Sequence, residues 1–370
     1  MSGERPTPPD DGRPVPGTAA GTAYFALPPT AVDARPAGPT RLVVGWPGFD
    51  PPRGAGALAA AVPMTGVPTW RVFLELPGTG PGFDSAGLLE TAGLEAYGTA
   101  VERAVEHLPA VLADVRRDLG IEDGPVALAG FSVGATVALL ALARGAVPVS
   151  AVAAVSPIIS PALAAKPMER RSGRDRDWDG AAAALAGRLD LAAHAARIAE
   201  AGAPLLFVGG ATDRVTPARE ITALCDLLRQ EGAGPVETAT FRMGHALAAE
   251  PGTDPLPPST EAVRVDAALT DWFRERLAEV LPEPAGAVES SVPAALEIAG
   301  SVHAAVETVL DPPPARSPMG AGPPADLPPA GPLPAPASTE HESAQDPAGT
   351  DTAGGEYGGG YGDQVRLSTW

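Results

Sequence analysis

The chain has 370 residues, a net charge of −19 and a single cysteine, Cys225. A strongly acidic chain argues against nucleic acid and anionic membranes as partners, and one cysteine excludes an internal disulfide and a cysteine-based metal cluster. The first residues lack the apolar core of a secretory signal peptide, so we expect a cytoplasmic protein. The sequence leaves the oligomeric state open.

Composition divides the chain into three parts. Residues 1–38 are rich in proline and glycine, and residues 283–370 combine proline, alanine and glycine with twelve acids and two arginines. Neither segment has enough large apolar side chains to offset the entropy cost of ordering. Both are therefore predicted to be disordered, apart from a possible short helix over 292–310, whereas residues 39–282 are predicted to form one α/β domain.

Within that domain, apolar runs of strand length alternate with segments of helical periodicity. In chain order, the pattern predicts a strand over 41–46, a short helix over 56–61, a strand over 70–76, a helix over 88–119, a strand over 125–129, a helix over 135–142, strands over 152–155 and 205–208, a helix from 216, a strand over 236–241 and a helix over 263–281. Such alternation predicts a mostly parallel sheet with helices on both faces. Residues 161–202 interrupt it as a small, mainly helical insertion.

The segment from Gly130 to Gly134 has the pattern Gly-x-Ser-x-Gly and lies between a predicted strand and a predicted helix. A serine on such a tight strand-to-helix turn adopts a strained backbone conformation and projects above the sheet. Glycines two residues before and after it avoid clashes with the neighbouring strand and helix. The context therefore identifies Ser132 as a candidate nucleophile.

A serine hydroxyl needs a general base, and that base needs an orienting acid. Catalytic groups of parallel sheets lie at the carboxyl ends of strands, which serves as a filter. Of the five histidines, His245 alone follows a predicted strand; the others are in helices or in the C-terminal segment, at 107, 194, 303 and 341. Among the acids, Asp213 follows the strand over 205–208. Asp50 follows the first strand of the domain and is expected only to line the site.

The order Ser132, Asp213, His245 resembles the α/β-hydrolase family over residues 39–282, and the motifs that carry the resemblance are the glycine-flanked serine, the loop from Gly210 to Pro217, and Gly244-His245. The resemblance implies an α/β-hydrolase fold with a small helical cap over about 161–202. It also implies an oxyanion hole of two backbone N–H groups, one from Val133. Because Pro47 has no N–H, the second comes from Gly48 or Phe49, and the Gly-Phe pair favours Phe49.

The resemblance implies no metal or organic cofactor. Trp46, Phe131 and Trp178 are expected to line the substrate site. The insertion also contains four arginines, Arg170, Arg171, Arg174 and Arg176, which could attract a carboxylate or phosphate. Four acids nearly balance their charge and favour a solvated loop instead. These acids are Glu169, Asp175, Asp177 and Asp179.

A small cap and the absence of an extended apolar lid favour a serine hydrolase that cleaves a small soluble carboxylic ester or thioester through an acyl-enzyme on Ser132. The core is also similar to dienelactone-hydrolase-like domains, which carry a cysteine nucleophile, and to prolyl-oligopeptidase-like domains. A peptidase or acyl-peptide hydrolase is therefore the alternative. An alternative of another class is a non-catalytic binding or scaffold protein with this fold.

Overall fold

The computed structural model of the protein describes residues 13–78 and 85–280. The strands are β1 (Val15–Ala19), β2 (Thr22–Leu27), β3 (Ala34–Pro36), β4 (Leu42–Trp46), β5 (Trp70–Leu74), β6 (Val126–Phe131), β7 (Val149–Val155), β8 (Leu205–Gly210), β9 (Val236–Phe241) and β10 (Ala278–Val280). The helices are α1 (Ala55–Ala61), α2 (Thr91–Leu119), α3 (Val133–Ala143), α4 (Pro161–Ser172), α5 (Gly180–Arg188), α6 (Ala195–Glu200), α7 (Ala218–Gln230) and α8 (Thr260–Leu277), with 3₁₀ helices at Ser85–Leu89 and Leu191–His194.

In the described ranges, eight of the strands form one sheet in the order β1-β2-β5-β4-β6-β7-β8-β9. From β5 through β9 all neighbouring strands pair in parallel, whereas β1 and β2 pair antiparallel at one edge. The central strands β4, β5, β6 and β8 are buried at every position, as expected for a sheet covered on both faces. The prediction of a mostly parallel sheet is confirmed.

Helices cover both faces of this sheet. On one face, α1 and α8 pack against the sheet in one apolar cluster, which includes Phe73 and Phe131 from the sheet and Phe273 from α8. On the other face, α2, α3, α6 and α7 contribute to a larger cluster that includes Trp46 and Phe207. The two clusters fix the sheet between layers of helices, so the carboxyl ends of its strands have defined positions.

The N-terminal strands correct the sequence interpretation, because the prediction that residues 1–38 are disordered was wrong for the described part of them. The β2 strand pairs with β5, and β1 pairs with β2. Tyr24 is only 6% exposed and lies on Gly17, where an added Cβ would be 2.3 Å from the Tyr24 ring. The N–H of Ala20 donates to the Asp114 carboxylate at 2.8 Å, which ties the hairpin to α2. Backbone pairing and one buried aromatic ring order a segment of low apolar content.

The insertion predicted over 161–202 divides into two parts. The first part, α4 and α5, packs against the 3₁₀ helix Ser85–Leu89 and against α2, respectively. The second part, α6, packs against α3 and α7 and belongs to the ordinary crossover from β7 to β8. The cap-like portion therefore ends near Arg188, earlier than we predicted.

The helix predicted over 292–310, like the rest of the segment 283–370, lies outside the described residues. Within the described ranges, none of the helices has both the length and the apolar character required to cross a membrane.

Candidate active site

Ser132 lies on a sharp turn between β6 and α3. Its φ of +55° and ψ of −117° are unusual for a residue with a side chain, and only 2% of the residue is exposed. A Cβ added at Gly130 would lie 2.2 Å from the Gly134 carbonyl oxygen, and one at Gly134 would lie 2.2 Å from the Trp46 carbonyl oxygen. The structure therefore gives a physical reason for both glycines: the turn has no room for a side chain at either position.

The structure brings Ser132, His245 and Asp213 together, although they are far apart in the chain. The Ser132 Oγ lies 2.8 Å from the His245 Nε2, and the His245 Nδ1 lies 2.8 Å from the Asp213 Oδ2. With the ring proton on Nδ1, the serine hydroxyl donates to Nε2 and the Nδ1–H donates to the carboxylate. The imidazole is thus oriented to accept the serine proton.

Asp213 is held by the loop that follows β8. Its side chain is fully buried, and its Oδ1 accepts hydrogen bonds from the N–H groups of Val215 and Thr216 at 2.8 and 2.9 Å. Its Oδ2 is directed to the imidazole. Because both oxygens have partners, the carboxylate keeps one orientation.

The turn that follows β4 lies directly against the serine. A Cβ added at Gly48 would be 2.9 Å from the Ser132 Cβ. The Phe49 ring packs edge-on against Tyr97, with ring centroids 6.0 Å apart, and this contact anchors the turn to α2. Val133, on the other side of the serine, is the first residue of α3, so the N–H of Val133 has no acceptor within that helix. The predicted oxyanion donors therefore flank Ser132 on two elements.

The location of these groups agrees with the topology of the sheet. The strand order reverses at β4, which has β5 on one side and β6 on the other. Open α/β sheets bind ligands in the crevice at the carboxyl ends of strands at such a reversal. Gly48 and Phe49 follow β4, and Ser132 follows β6, so the candidate site occupies this crevice.

Asp50, which the sequence analysis expected to line the site, lies beside the imidazole. Its Oδ2 is 3.6 Å from the His245 Nε2, and its side chain is 17% exposed. Two carboxylates therefore flank the imidazole, with Asp213 on the Nδ1 side and Asp50 on the Nε2 side.

Arg53 is a residue of the site region that the sequence analysis missed. Its Nε donates to the Phe49 carbonyl at 2.7 Å, and its terminal nitrogens donate to both Glu250 carboxylate oxygens and to the Pro251 carbonyl. Arg53 thus connects the turn after β4 with the loop that carries His245. No motif singles it out, because its partners are far away in the sequence.

The three residues predicted to line the site have different environments. Phe131 lies beside the imidazole, with ring centroids 5.5 Å apart, and is 1% exposed. Trp46 is 1% exposed and belongs to the core cluster under α2 and α3. Trp178 precedes α5, donates to the Leu88 carbonyl and packs with Leu89 and Met168. Trp46 therefore packs in the core and Trp178 packs in the cap, whereas Phe131 lies next to the imidazole.

In the described residues, no group of three or more histidine, cysteine or acidic side chains is arranged to hold a metal ion. Cys225 is a buried free thiol in α7, and burial raises its pKa to about 11. A thiol with that pKa stays protonated near neutral pH.

Comparisons with known proteins give matches among solved structures. No protein-family model and no curated protein sequence matches the chain. A puromycin-hydrolysing peptidase of Mycobacterium tuberculosis is 19% identical with a TM-score of 0.50, and covers 74% of this chain and 40% of its own. The acylaminoacyl peptidase of Pyrococcus horikoshii is 13% identical with a TM-score of 0.50, and covers 73% of this chain and 42% of its own. TT1662 of Thermus thermophilus is 24% identical with a TM-score of 0.48, and covers 70% of this chain and 98% of its own.

The two likenesses with a TM-score of 0.50 and the observed sheet topology define the fold. The chain has the α/β-hydrolase fold, as its sequence motifs predicted. It spans about two fifths of the length of each of the two peptidases.

Proposed function

We propose that this protein is a serine hydrolase that cleaves a small soluble carboxylic ester or thioester through an acyl-enzyme on Ser132. The observation that carries the proposal is the buried hydrogen-bonded chain from the Ser132 Oγ through the His245 ring to Asp213, with 2.8 Å at each step. Such a chain converts a weak hydroxyl nucleophile into an activated one.

The proposed reaction has two halves. His245 removes the Ser132 proton while the Oγ attacks the carbonyl carbon, and the resulting imidazolium is stabilised by Asp213 and Asp50. The oxyanion accepts hydrogen bonds from the N–H of Val133 and from the turn at Gly48 and Phe49, each worth on the order of 3 kcal/mol in the transition state. The imidazolium protonates the leaving alcohol or thiol. Water, deprotonated by His245, then releases the acid and restores Ser132.

The alternative is hydrolysis of a peptide or an acyl-peptide bond by the same groups. Two of the similar structures, both with a TM-score of 0.50, favour it because both are peptidases. Both are much longer than the matching region, so a substrate that depends on their additional length would not carry over to this chain.

The decisive experiment is covalent labelling with a fluorophosphonate probe. We expect wild-type protein to be labelled and Ser132→Ala to be unlabelled. Ser150→Ala is the matched control, because Ser150 lies at the opposite end of β7 and only donates to the Val126 carbonyl. Equal labelling of wild type and Ser132→Ala, or no labelling of either, would refute the hydrolase and leave a non-catalytic binding protein.

The substrate class is tested with a series of nitrophenyl esters of increasing acyl length, beside matched thioester and N-acetyl-amino-acid anilide substrates. Turnover of short esters and thioesters far above the anilides supports the proposal. Faster turnover of the anilides would support the peptidase instead. Ser132→Ala provides the background rate for every substrate.

A further inference from the structure

A large cavity lies between α4 and α7, apart from the nucleophile. Its volume is about 570 Å³, and its apolar lining comes from Ile159, Leu163, Leu224 and Leu227. Charged side chains complete the lining: Lys166 and Arg170 from α4, and Arg219 and Glu220 from α7. The cavity thus combines an apolar surface with a mainly cationic one.

A second cavity of about 490 Å³ shares part of this wall. Pro167, Arg170 and Arg219 line both cavities, and Arg171 and Arg214 are added in the second. The second cavity also reaches the Asp213 loop, whereas neither Ser132 nor His245 lines either cavity. We call the two together the arginine cleft, defined by Lys166, Arg170, Arg171, Arg214 and Arg219.

The cations of the arginine cleft differ from the other arginines of the cap. Arg174 and Arg176 form ion pairs with Glu90 and Glu169, as a solvated, charge-balanced loop would. In the described ranges, Arg219 is the one member of the cleft with an ion pair, a 3.8 Å contact to the adjacent Glu220. Two of the four cap arginines, Arg174 and Arg176, are therefore in ion pairs, whereas Arg170 and Arg171 line a cavity.

Five cations in one cleft are opposed by two acids that line it. The Asp213 carboxylate is committed to His245 and to two backbone N–H groups. The Glu220 side chain is 15% exposed. Burial raises the pKa of its carboxyl, while the charges of Arg219, Lys166 and Arg170 lower it. The local charge stays positive in a protein whose net charge is −19.

We propose that the arginine cleft is a binding site for a small organic anion, with its phosphate or carboxylate between Arg170 and Arg219 and its apolar body against Ile159 and Leu224. Guanidinium groups bind these two anions through paired, charge-assisted hydrogen bonds. An apolar wall beside them selects an anion with a hydrocarbon or aromatic body over an inorganic one. The proposal does not depend on the hydrolytic reaction at Ser132.

Isothermal titration calorimetry on the full chain tests the proposal. The ligands are phenyl phosphate, phenylacetate, neutral phenylacetamide and inorganic phosphate, each at low ionic strength. We expect phenyl phosphate or phenylacetate to bind with a Kd below about 1 mM and phenylacetamide to give no signal. The two anion arms show which head group the site prefers. No binding of either aromatic anion up to about 10 mM would overturn the proposal.

Three variants locate the binding. Arg170→Gln with Arg219→Gln should weaken aromatic anion binding at least about tenfold. Arg103→Gln with Arg264→Gln is the control with the same charge change, because both are exposed arginines outside the cleft. Glu220→Gln should strengthen binding, since it removes the competing carboxylate. Unchanged affinity in the first variant would refute the site, provided its circular dichroism matches wild type.

A final variant tests the apolar half of the site. Ala223 is exposed and lines the first cavity, so Ala223→Phe fills the space without changing charge. We expect it to remove the advantage of phenyl phosphate over inorganic phosphate. If wild type binds inorganic phosphate as tightly as phenyl phosphate, the apolar body has no role and the ligand class proposed here is wrong. Ser132→Ala should bind every ligand like wild type, which separates this site from the hydrolytic one.

Discussion

Arg53 joins the two loops that meet at Ser132. It has an 18% exposed side chain, so its hydrogen bonds are partly shielded from water. Its Nε holds the carbonyl of Phe49, and its other nitrogens hold Glu250 and Pro251 on the histidine loop. Backbone hydrogen bonds from Arg53 to Gly252 and from Leu247 to Pro51 run between the same two loops. The side chain is therefore a positioning residue, which sets the distance between the predicted oxyanion donors and the imidazole.

We predict that Arg53→Met slows fluorophosphonate labelling and ester turnover by about 10- to 100-fold. A displacement of roughly 1 Å between reacting groups is enough for an effect of that size. The loss should fall on kcat more than on KM, because the substrate-binding surface is not removed. Stopped-flow labelling rates and steady-state kinetics on a nitrophenyl ester measure both quantities.

Arg274→Met is the matched control for Arg53→Met. Arg274 also bridges a carboxylate and a carbonyl, through Asp33 and Gly66, but these contacts lie away from the serine turn. We expect similar small losses of thermal stability in both variants and a loss of rate in Arg53→Met alone. Equal rates in the two variants would show that Arg53 is merely structural.

At the scale of secondary structure, the β1-β2 hairpin protects one edge of the sheet. The β2 strand pairs with β5 over four residue pairs, and Tyr24 covers Gly17. Without the hairpin, β5 would present unpaired backbone groups at an exposed edge, which is a template for aggregation. The hairpin therefore belongs to the folded domain.

We predict that removing residues 1–28 destabilises the protein strongly, whereas removing residues 1–12 leaves its stability unchanged. Tyr24→Ala tests the same element with a single substitution and should lower the free energy of unfolding by about 3 kcal/mol. Urea titrations followed by circular dichroism give these values. If the 1–28 deletion unfolded at the same urea concentration as the 1–12 deletion, the hairpin would contribute nothing to the fold.

The same hairpin shows where sequence reasoning stops. The strands and helices around Ser132 were predictable because long apolar runs and two glycines that flank a serine are local signals. β1 and β2 are not local in this sense: their order comes from pairing with β5 and from the Asp114 contact, which are distant in the sequence. The same applies to Arg53, and to the burial of Trp46 in the core, because a pattern of residue types does not specify which face a side chain occupies.

At the scale of the whole molecule, partly buried carboxyl groups link stability to pH. Burial raises the pKa of Glu75, Glu220 and Asp266, in each case against one or more favourable contacts. The N–H of Ala55 donates to the Glu75 Oε1 at 2.7 Å, yet burial still dominates at that residue. For such a group the folded state holds its proton more tightly than the unfolded state. Its contribution to stability is thus present at low pH and is lost as pH rises through the raised pKa.

Asp114 titrates in the opposite direction. Hydrogen bonds from the Ala20 N–H and from Arg117 lower its pKa. Its contribution is therefore present above the ordinary carboxyl pKa and is lost as pH falls through the lowered value. Asp114 also holds the turn of the β1-β2 hairpin, so its titration reports on a different part of the fold from that of Glu75.

We predict opposite pH trends for Glu75→Gln and Asp114→Asn when free energies of unfolding are measured by urea titration from pH 3 to pH 7. Glutamine keeps an oxygen to accept from Ala55 but cannot ionise, so Glu75→Gln should gain stability relative to wild type as pH rises above about 4.5. Asp114→Asn should instead lose stability relative to wild type as pH rises from 3, because only wild type gains the charged contacts. Two curves that run parallel to wild type would show that neither carboxyl has a different pKa in the folded and unfolded states. If both variants gained stability relative to wild type as pH rises, or both lost it, burial and hydrogen bonding would not compete at these residues as the structure indicates.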